Sequence, residues 1–218
     1  MFRLGVLAAA LLSASVSAAY AADLIVDAPV TPGVVDVSGT WEGPYVGVFG
    51  GYAASHWTDT WSGGSMEFDP TGWLLGVAAG VDLDLGNGMV AGVVADIAWS
   101  NQEDSVIAQN GPHSVNIDWQ GSVRGRLGFD AGSFLPYLTA GVAIAHGTAE
   151  YDVVSTNTHF GWTAGAGVEV AVTEDVSLDL QYRYSKYGVE TYDIVATSFP
   201  YDVDFSTHQV TVGLNWRF

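Results

Sequence analysis

The stretch THFGWTAGAGVEVAV, Thr158–Val172, decides how the chain folds. Its even positions are Phe160, Trp162, Ala164, Ala166, Val168, Val170 and Val172, all apolar. Its odd positions are His159, Gly161, Thr163, Gly165, Gly167, Glu169 and Ala171. Successive side chains of a strand point to opposite faces, so this alternation describes one strand with two unlike faces. Strands of soluble sheets usually end after five or six residues, whereas a tilted strand crossing a bilayer needs about 9–11.

The same period recurs on both sides of this stretch, in eight blocks: Pro44–Trp57, Thr71–Leu85, Met89–Ser100, Val115–Phe129, Leu135–Gly147, Thr158–Val172, Val176–Tyr187 and Thr207–Phe218. None keeps a helical period over the ten or so residues a helix requires. Connections between them alternate in length. Gly86-Asn87-Gly88, Asp130–Phe134 and Thr173-Glu174-Asp175 are short, and the first holds the Asn-Gly pair that favours a tight hairpin. The stretches after Trp57, Ser100, Gly147 and Tyr187 are longer. Short turns at one rim and long loops at the other are the pattern of an outer-membrane barrel, and an even strand number puts both termini at the short-turn, periplasmic rim. The expected fold is all-β, an eight-stranded antiparallel up-and-down transmembrane β-barrel.

The polar face decides which way that barrel is turned. It collects Arg124, Arg126, Arg183 and Arg217 with Asp82, Asp96, Asp118, Glu169 and Asp179. Positive and negative charges nearly cancel there, although the whole chain carries a net charge of −18. A solvated face needs no such balance. An enclosed one does, because an unpaired buried charge is very costly. These nine residues are therefore expected to form a lumen charge network, with the aliphatic face toward lipid. On this reading Val115, Ile117 and Trp119 belong to the lipid face of their block and Asp118 to the lumen. The faces of the first block, rich in glycine, are not legible. Two aromatic belts are expected, with Trp57, Trp73, Trp99, Trp119 and Trp162 at the long-loop ends. Phe129, Phe134, Tyr137, Trp216 and Phe218 fall at the short-turn ends. Trp216 and Phe218 also close a block that is apolar at every second position to its last residue, which reads as a C-terminal assembly signal.

Composition supports this frame. Of 218 residues 14% are charged, 27 are glycine and none is cysteine, which excludes a disulfide framework and Cys-ligated zinc. At the N-terminus Arg3, an apolar run Leu4–Leu12 and an Ala19-Tyr20-Ala21 site read as a signal peptide over 1–21. Residues 22–40 hold two prolines and no sustained period, and read as a flexible periplasmic segment ahead of the barrel at 41–218. The excess of acid leaves no basic cluster for nucleic acid.

Taken together, several stretches resemble the small porin-like outer-membrane β-barrels of alphaproteobacteria. They are Trp41-Glu42-Gly43-Pro44-Tyr45-Val46-Gly47, Val123-Arg124-Gly125-Arg126-Leu127-Gly128, Gly165-Ala166-Gly167-Val168-Glu169, Gln181-Tyr182-Arg183-Tyr184 and the terminal Trp216-Arg217-Phe218. The resemblance covers nearly the whole chain beyond the leader. It implies an OmpA-like barrel, among whose relatives are hemin-binding and major surface proteins.

An eight-stranded barrel has a lumen just wide enough for side chains, so the expected function is structural. The protein should contribute to outer-membrane integrity and surface properties as an occluded monomer, porin-like by family, with no cofactor and no catalytic residue. Its expected partners are outer-membrane lipid, lipopolysaccharide and the barrel assembly machinery. The alternatives are a hemin- or divalent-metal-binding surface protein, through His56, His113, His146, His159 and His208, or a host-contact adhesin. By parity His159 points inward and His146 and His208 outward, so the five need not converge. A lipid A-modifying enzyme is a further alternative, but Ser55-His56, His113-Ser114 and Ser206-Thr207-His208 form no recognisable catalytic motif. The long loops carry Asp59, Glu67, Asp69, Glu103, Asp104, Glu150, Asp152, Glu190, Asp193, Asp202 and Asp204 without any Lys or Arg. Divalent cations could bridge these carboxylates to lipopolysaccharide phosphates.

Overall fold

A computed structural model describes residues 41–61, 64–108, 111–150, 154–192 and 201–218. The expected leader at 1–21 and the segment 22–40 lie outside the described residues. So do the side chains of His113, Asp59, Glu150, Asp152, Glu190, Asp193 and Asp202.

The described strands are β1 (Gly43–Trp61), β2 (Gly64–Phe68), β3 (Thr71–Gly86), β4 (Met89–Ala108), β5 (Gly111–Phe129), β6 (Phe134–Glu150), β7 (Val154–Ala171), β8 (Val176–Tyr192) and β9 (Tyr201–Arg217). β1 pairs antiparallel with both β2 and β3, from β3 onward each strand pairs antiparallel with the next along the chain, and β1 pairs with β9 from Tyr45↔Arg217 to Thr60↔Asp202. That last ladder closes the sheet into a barrel. β2 and β3 follow end to end along β1, with Trp57↔Phe68 and Ala54↔Thr71. Asp69 and Pro70 interrupt them, because Pro70 has no N–H for the ladder, although its carbonyl accepts from the Ser55 N–H at 2.9 Å. The barrel thus has eight staves, the second in two pieces.

At one rim the turns are tight. Gly86, Asn87 and Gly88 all take positive φ, at 81°, 56° and 76°, which suits glycine and asparagine. At the other rim the staves run beyond the blocks expected from sequence. β1 continues to Trp61, β4 to Ala108 and β5 begins at Gly111, so much of what reads as long loop is hairpin.

The outer wall is apolar. Leu178, Leu180, Val210, Val212, Leu214, Val123, Leu127 and Val142 are all exposed, while Glu169, Asp82, Arg124 and Arg183 are buried. This is the inside-out arrangement of a barrel in lipid. Exposed Trp73, Trp99 and Trp162 lie toward the long-hairpin rim, and exposed Phe129, Phe134, Trp216 and Phe218 toward the turn rim. Two residues expected in the belts are instead inside: Trp57 is fully buried and Tyr137 nearly so. Both sit on the inward parity of their strands.

β1 is inward at Tyr45, Ala53, Ser55 and Trp57 and outward at Val46, Val48 and Tyr52. Its glycines hide this in the sequence. They recur across the barrel because large inward side chains need room on the neighbouring strand. Tyr45 pairs with Gly80, where an added Cβ would lie 2.5 Å from the tyrosine ring. Asp82 pairs with Gly92, and Tyr137 with Gly167, where an added Cβ would overlap the partner side chain. Gly80→Val is therefore expected to displace Tyr45 and destabilise the barrel by about 1–3 kcal/mol, as overpacking does. Urea unfolding of the refolded protein measures this. An unchanged midpoint would contradict the packing.

Candidate functional site: the filled lumen

The lumen is filled in layers. Next to the turn rim, Arg126 Nη1 donates to Asp82 Oδ2 at 3.2 Å and its Nη2 to Glu169. Arg217 Nη2 donates to the same Asp82 oxygen at 3.1 Å and lies 3.6 Å from Glu169 Oε1. Ser177 donates its hydroxyl to Glu169 as well. The two guanidinium groups also stack with aromatic rings. Arg126 sits 4.1 Å from the centre of Tyr137, and Arg217 5.1 Å from Tyr45 and 5.5 Å from Trp41. Trp41 donates its indole N–H to the Gly132 carbonyl at 3.1 Å and, with Val90 and Leu135, forms an apolar cap over this end.

The second layer is built on Asp96. Its Oδ2 accepts from Arg124 Nη2 at 2.7 Å, Arg183 Nη1 at 2.9 Å and the Ser122 hydroxyl at 2.6 Å. Arg124 reaches on to Gln181 at 2.9 Å, and Arg183 to Gln209 at 2.7 Å. Asp179 stands between the layers, accepting the Tyr137 hydroxyl at 2.6 Å. A cavity of about 40 Å³, bordered by Asp179, Arg124, Arg126 and Arg183, separates the two layers. It has room for a few water molecules.

Eight of the nine residues expected in the network are thus brought together, four arginines with Asp82, Asp96, Glu169 and Asp179. Their formal charges cancel. Asp118 is the exception: its side chain is exposed and accepts from the Thr148 hydroxyl at 2.9 Å. The reason is a β-bulge. β5 pairs Ile117 with Gly147 but Trp119 with His146, which leaves Asp118 as an extra residue. One extra residue moves everything beyond it to the other face. Val115 and Ile117, expected toward lipid, are accordingly buried inside.

They join a third layer that the alternation does not reveal. Trp57, Phe68, Val115, Ile117, Ala143, Ala145, Tyr187 and Phe205 form an apolar cluster inside the long-hairpin end. Trp57 and Phe205 stack at 4.9 Å, Tyr187 and Phe205 at 4.3 Å, and His159 packs edge-on against Phe205 at 5.0 Å. The available signal is the aromatic content at inward parity of β1 and β9, which becomes readable only once the parity of β1 is known.

Four of the five histidines are described, and they separate. His159 is buried in the aromatic layer. His146 stacks on Trp119 at 5.5 Å, His56 donates to Asp69 at 2.8 Å, and His208 contacts the Tyr182 hydroxyl at 2.8 Å on the outer wall. Among the described residues no group of three His, Cys, Asp or Glu side chains is placed to hold a metal ion. Trp216 and Phe218 are exposed, their rings 5.6 Å apart, and the Phe218 N–H donates to the Pro44 carbonyl at 3.1 Å.

The family model for the outer membrane protein beta-barrel domain matches residues 5–218. The chain is 31% identical over 223 residues to the 25 kDa outer-membrane immunogenic protein of Brucella abortus, covering 98% of this chain and 96% of that one. It is 33% identical over 194 residues to the 22 kDa outer membrane protein of Rhizobium leguminosarum bv. viciae, covering 87% and 82%. Among solved structures, the outer membrane protease OmpT of Escherichia coli aligns with a TM-score of 0.50 at 10% identity, covering 82% of this chain and 98% of that one. Neisserial surface protein A aligns at 0.47 and 20% identity, covering 81% and 97%. A closed eight-staved barrel, a family model that spans nearly all of it and relatives matched over almost their full length agree: this chain belongs to the outer membrane protein β-barrel family.

Proposed function

We propose that the protein is a monomeric, occluded barrel that contributes to outer-membrane integrity and surface properties, with its termini and tight turns on the periplasmic side and its long hairpins outside. The observation that carries this reading is the lumen itself. Two ionic layers, an apolar cap and an aromatic layer occupy the path a solute would take. An ion-paired wall of this kind ties distant staves together, since Arg126 of β5 links β3 to β7 and Arg183 of β8 reaches Asp96 on β4. The acidic hairpins, with Glu67, Asp69 and Glu103 exposed, would set the surface charge.

Two readouts test this together. A strain lacking the gene is expected to take up a hydrophobic fluorescent dye faster than its parent, with recovery on complementation. A membrane-impermeant thiol reagent is expected to label intact cells at Glu67→Cys and not at Asp130→Cys. Unchanged dye uptake would overturn the integrity role, and labelling at Asp130→Cys would overturn the orientation.

A further inference from the structure

The stretch Trp41-Glu42-Gly43-Pro44-Tyr45 leads into the barrel, and it joins the wall only from Gly43 onward. Gly43 has a φ of +114°, a conformation that glycine reaches and L side chains rarely adopt. Just before this bend Glu42 is exposed, whereas the Trp41 ring is buried in the mouth of the lumen. The ring crosses that mouth. β1 is the first of the eight staves, yet the Trp41 indole N–H reaches the Gly132 carbonyl in the turn between β5 and β6, halfway round the barrel. Its apolar contacts come from Val90 of β4, Leu135 of β6 and Ala171 of β7. The Arg217 guanidinium of β9 lies 5.5 Å from the same ring and 5.1 Å from Tyr45.

We propose that Trp41 is a hinged lid on the turn-rim mouth, which swings about Gly43 and controls whether water and small solutes reach the ionic layer of Asp82, Glu169 and Arg217. The proposal rests on the occluded lumen described above. The ladders to β3 and β9 start at Gly43 and Tyr45, so lifting Trp41 breaks neither of them. What seats the lid is one indole hydrogen bond and side-chain packing, both of which a single swing releases. With the ring down, Asp82 and Glu169 are fully buried. With the ring up, only this layer is uncovered, because the Asp96 layer and the aromatic layer still close the path behind it.

The chain has no cysteine, so a single introduced one reports on its own position. Ser177 borders the same small gap as Trp41 and Arg217 and donates to Glu169, whereas Ser122 donates to Asp96 in the next layer. The folded full chain carrying Ser177→Cys or Ser122→Cys, in detergent micelles, is treated with a small methanethiosulfonate reagent, and labelling is followed by mass spectrometry. Adding Trp41→Ala, with folding checked by heat-modifiability, is expected to speed labelling at position 177 by about tenfold or more, the shift that burial of a large apolar ring imposes on a two-state balance. Gly43→Ala keeps the indole but denies the backbone its bend, and its Cβ would lie 3.1 Å from the Phe218 carbonyl oxygen, so it should speed labelling at 177 similarly. Ser122→Cys should stay slow in every background. Unchanged rates at 177 in Trp41→Ala or in Gly43→Ala would overturn the lid, as would a parallel rise at 122, which marks a loosened barrel. Rapid labelling of Ser122→Cys beside the native Trp41 would overturn the occluded lumen, and the lid with it.

Discussion

Arg126→Met is expected to lower the unfolding free energy of the refolded barrel by about 3–5 kcal/mol, because removing one partner of a buried ion pair strands the other. Here two carboxylates lose a shared cation, which leaves one negative charge uncompensated. Asp82 and Glu169 are both fully buried and both lean on Arg126, with Arg217 as their second cation. Arg217 would then face two carboxylates alone. The same argument predicts a rescue: adding Glu169→Gln to Arg126→Met should recover much of the loss, since Asp82 and Arg217 then remain as a matched pair. Asp118→Asn is the control. That carboxylate is exposed at the bulge, so its loss should change stability by no more than about 0.5 kcal/mol. Urea titrations of the four proteins decide this. Equal midpoints for Arg126→Met and wild type would mean that the lumen charges are not coupled as described.

Trp57→Ala should be as damaging, at about 3–5 kcal/mol, by a different route. The indole is fully buried between Phe205 and His159, and its removal leaves a cavity at the long-hairpin end. Trp99→Ala removes an equal side chain from the outer wall, where Trp99 is 57% exposed and meets lipid rather than protein. Its cost should be clearly smaller. The pair separates the inward from the outward face with one chemistry. If Trp99→Ala were the more destabilising, the parity of β1 would be wrong.

That parity is where the sequence was least informative. Alternation in Thr158–Val172, in β8 and in β9 places His159, Glu169, Arg183 and Arg217 inside without any structure, because those strands are regular over the whole membrane thickness. The balance of charge on their polar face then tells which face is enclosed. β1 hides its parity because Gly47, Gly50 and Gly51 occupy both faces, and only the ladder to β9 reveals that Tyr45 and Trp57 point inward. Asp118 was misread for a related reason. A bulge changes the period by one residue and leaves no mark in composition, so Val115, Ile117 and Asp118 exchanged faces together. The aromatic layer follows from both effects, as its members come from β1, β2, β5, β6, β8 and β9 and meet only when the barrel closes. The glycines that face Tyr45, Asp82 and Tyr137 are legible as abundance, but their role depends on register.

The terminal β9 carries the apolar alternation to Phe218 for a reason now visible in the ladders. It pairs on both sides, with β8 from Val176↔Trp216 and with β1 from Tyr45↔Arg217, so its end is held rather than frayed. Arg217, between two outward aromatics, belongs to the ionic layer beside Asp82 and Glu169.

The central claim is that the charged face is a sealed interior. Single-channel recording in planar bilayers tests it most directly. The folded wild-type barrel is expected to insert without opening a stable conductance, because the cap, the two ionic layers and the aromatic layer close the path in series. A large, long-lived conductance step from the folded monomer would contradict the account.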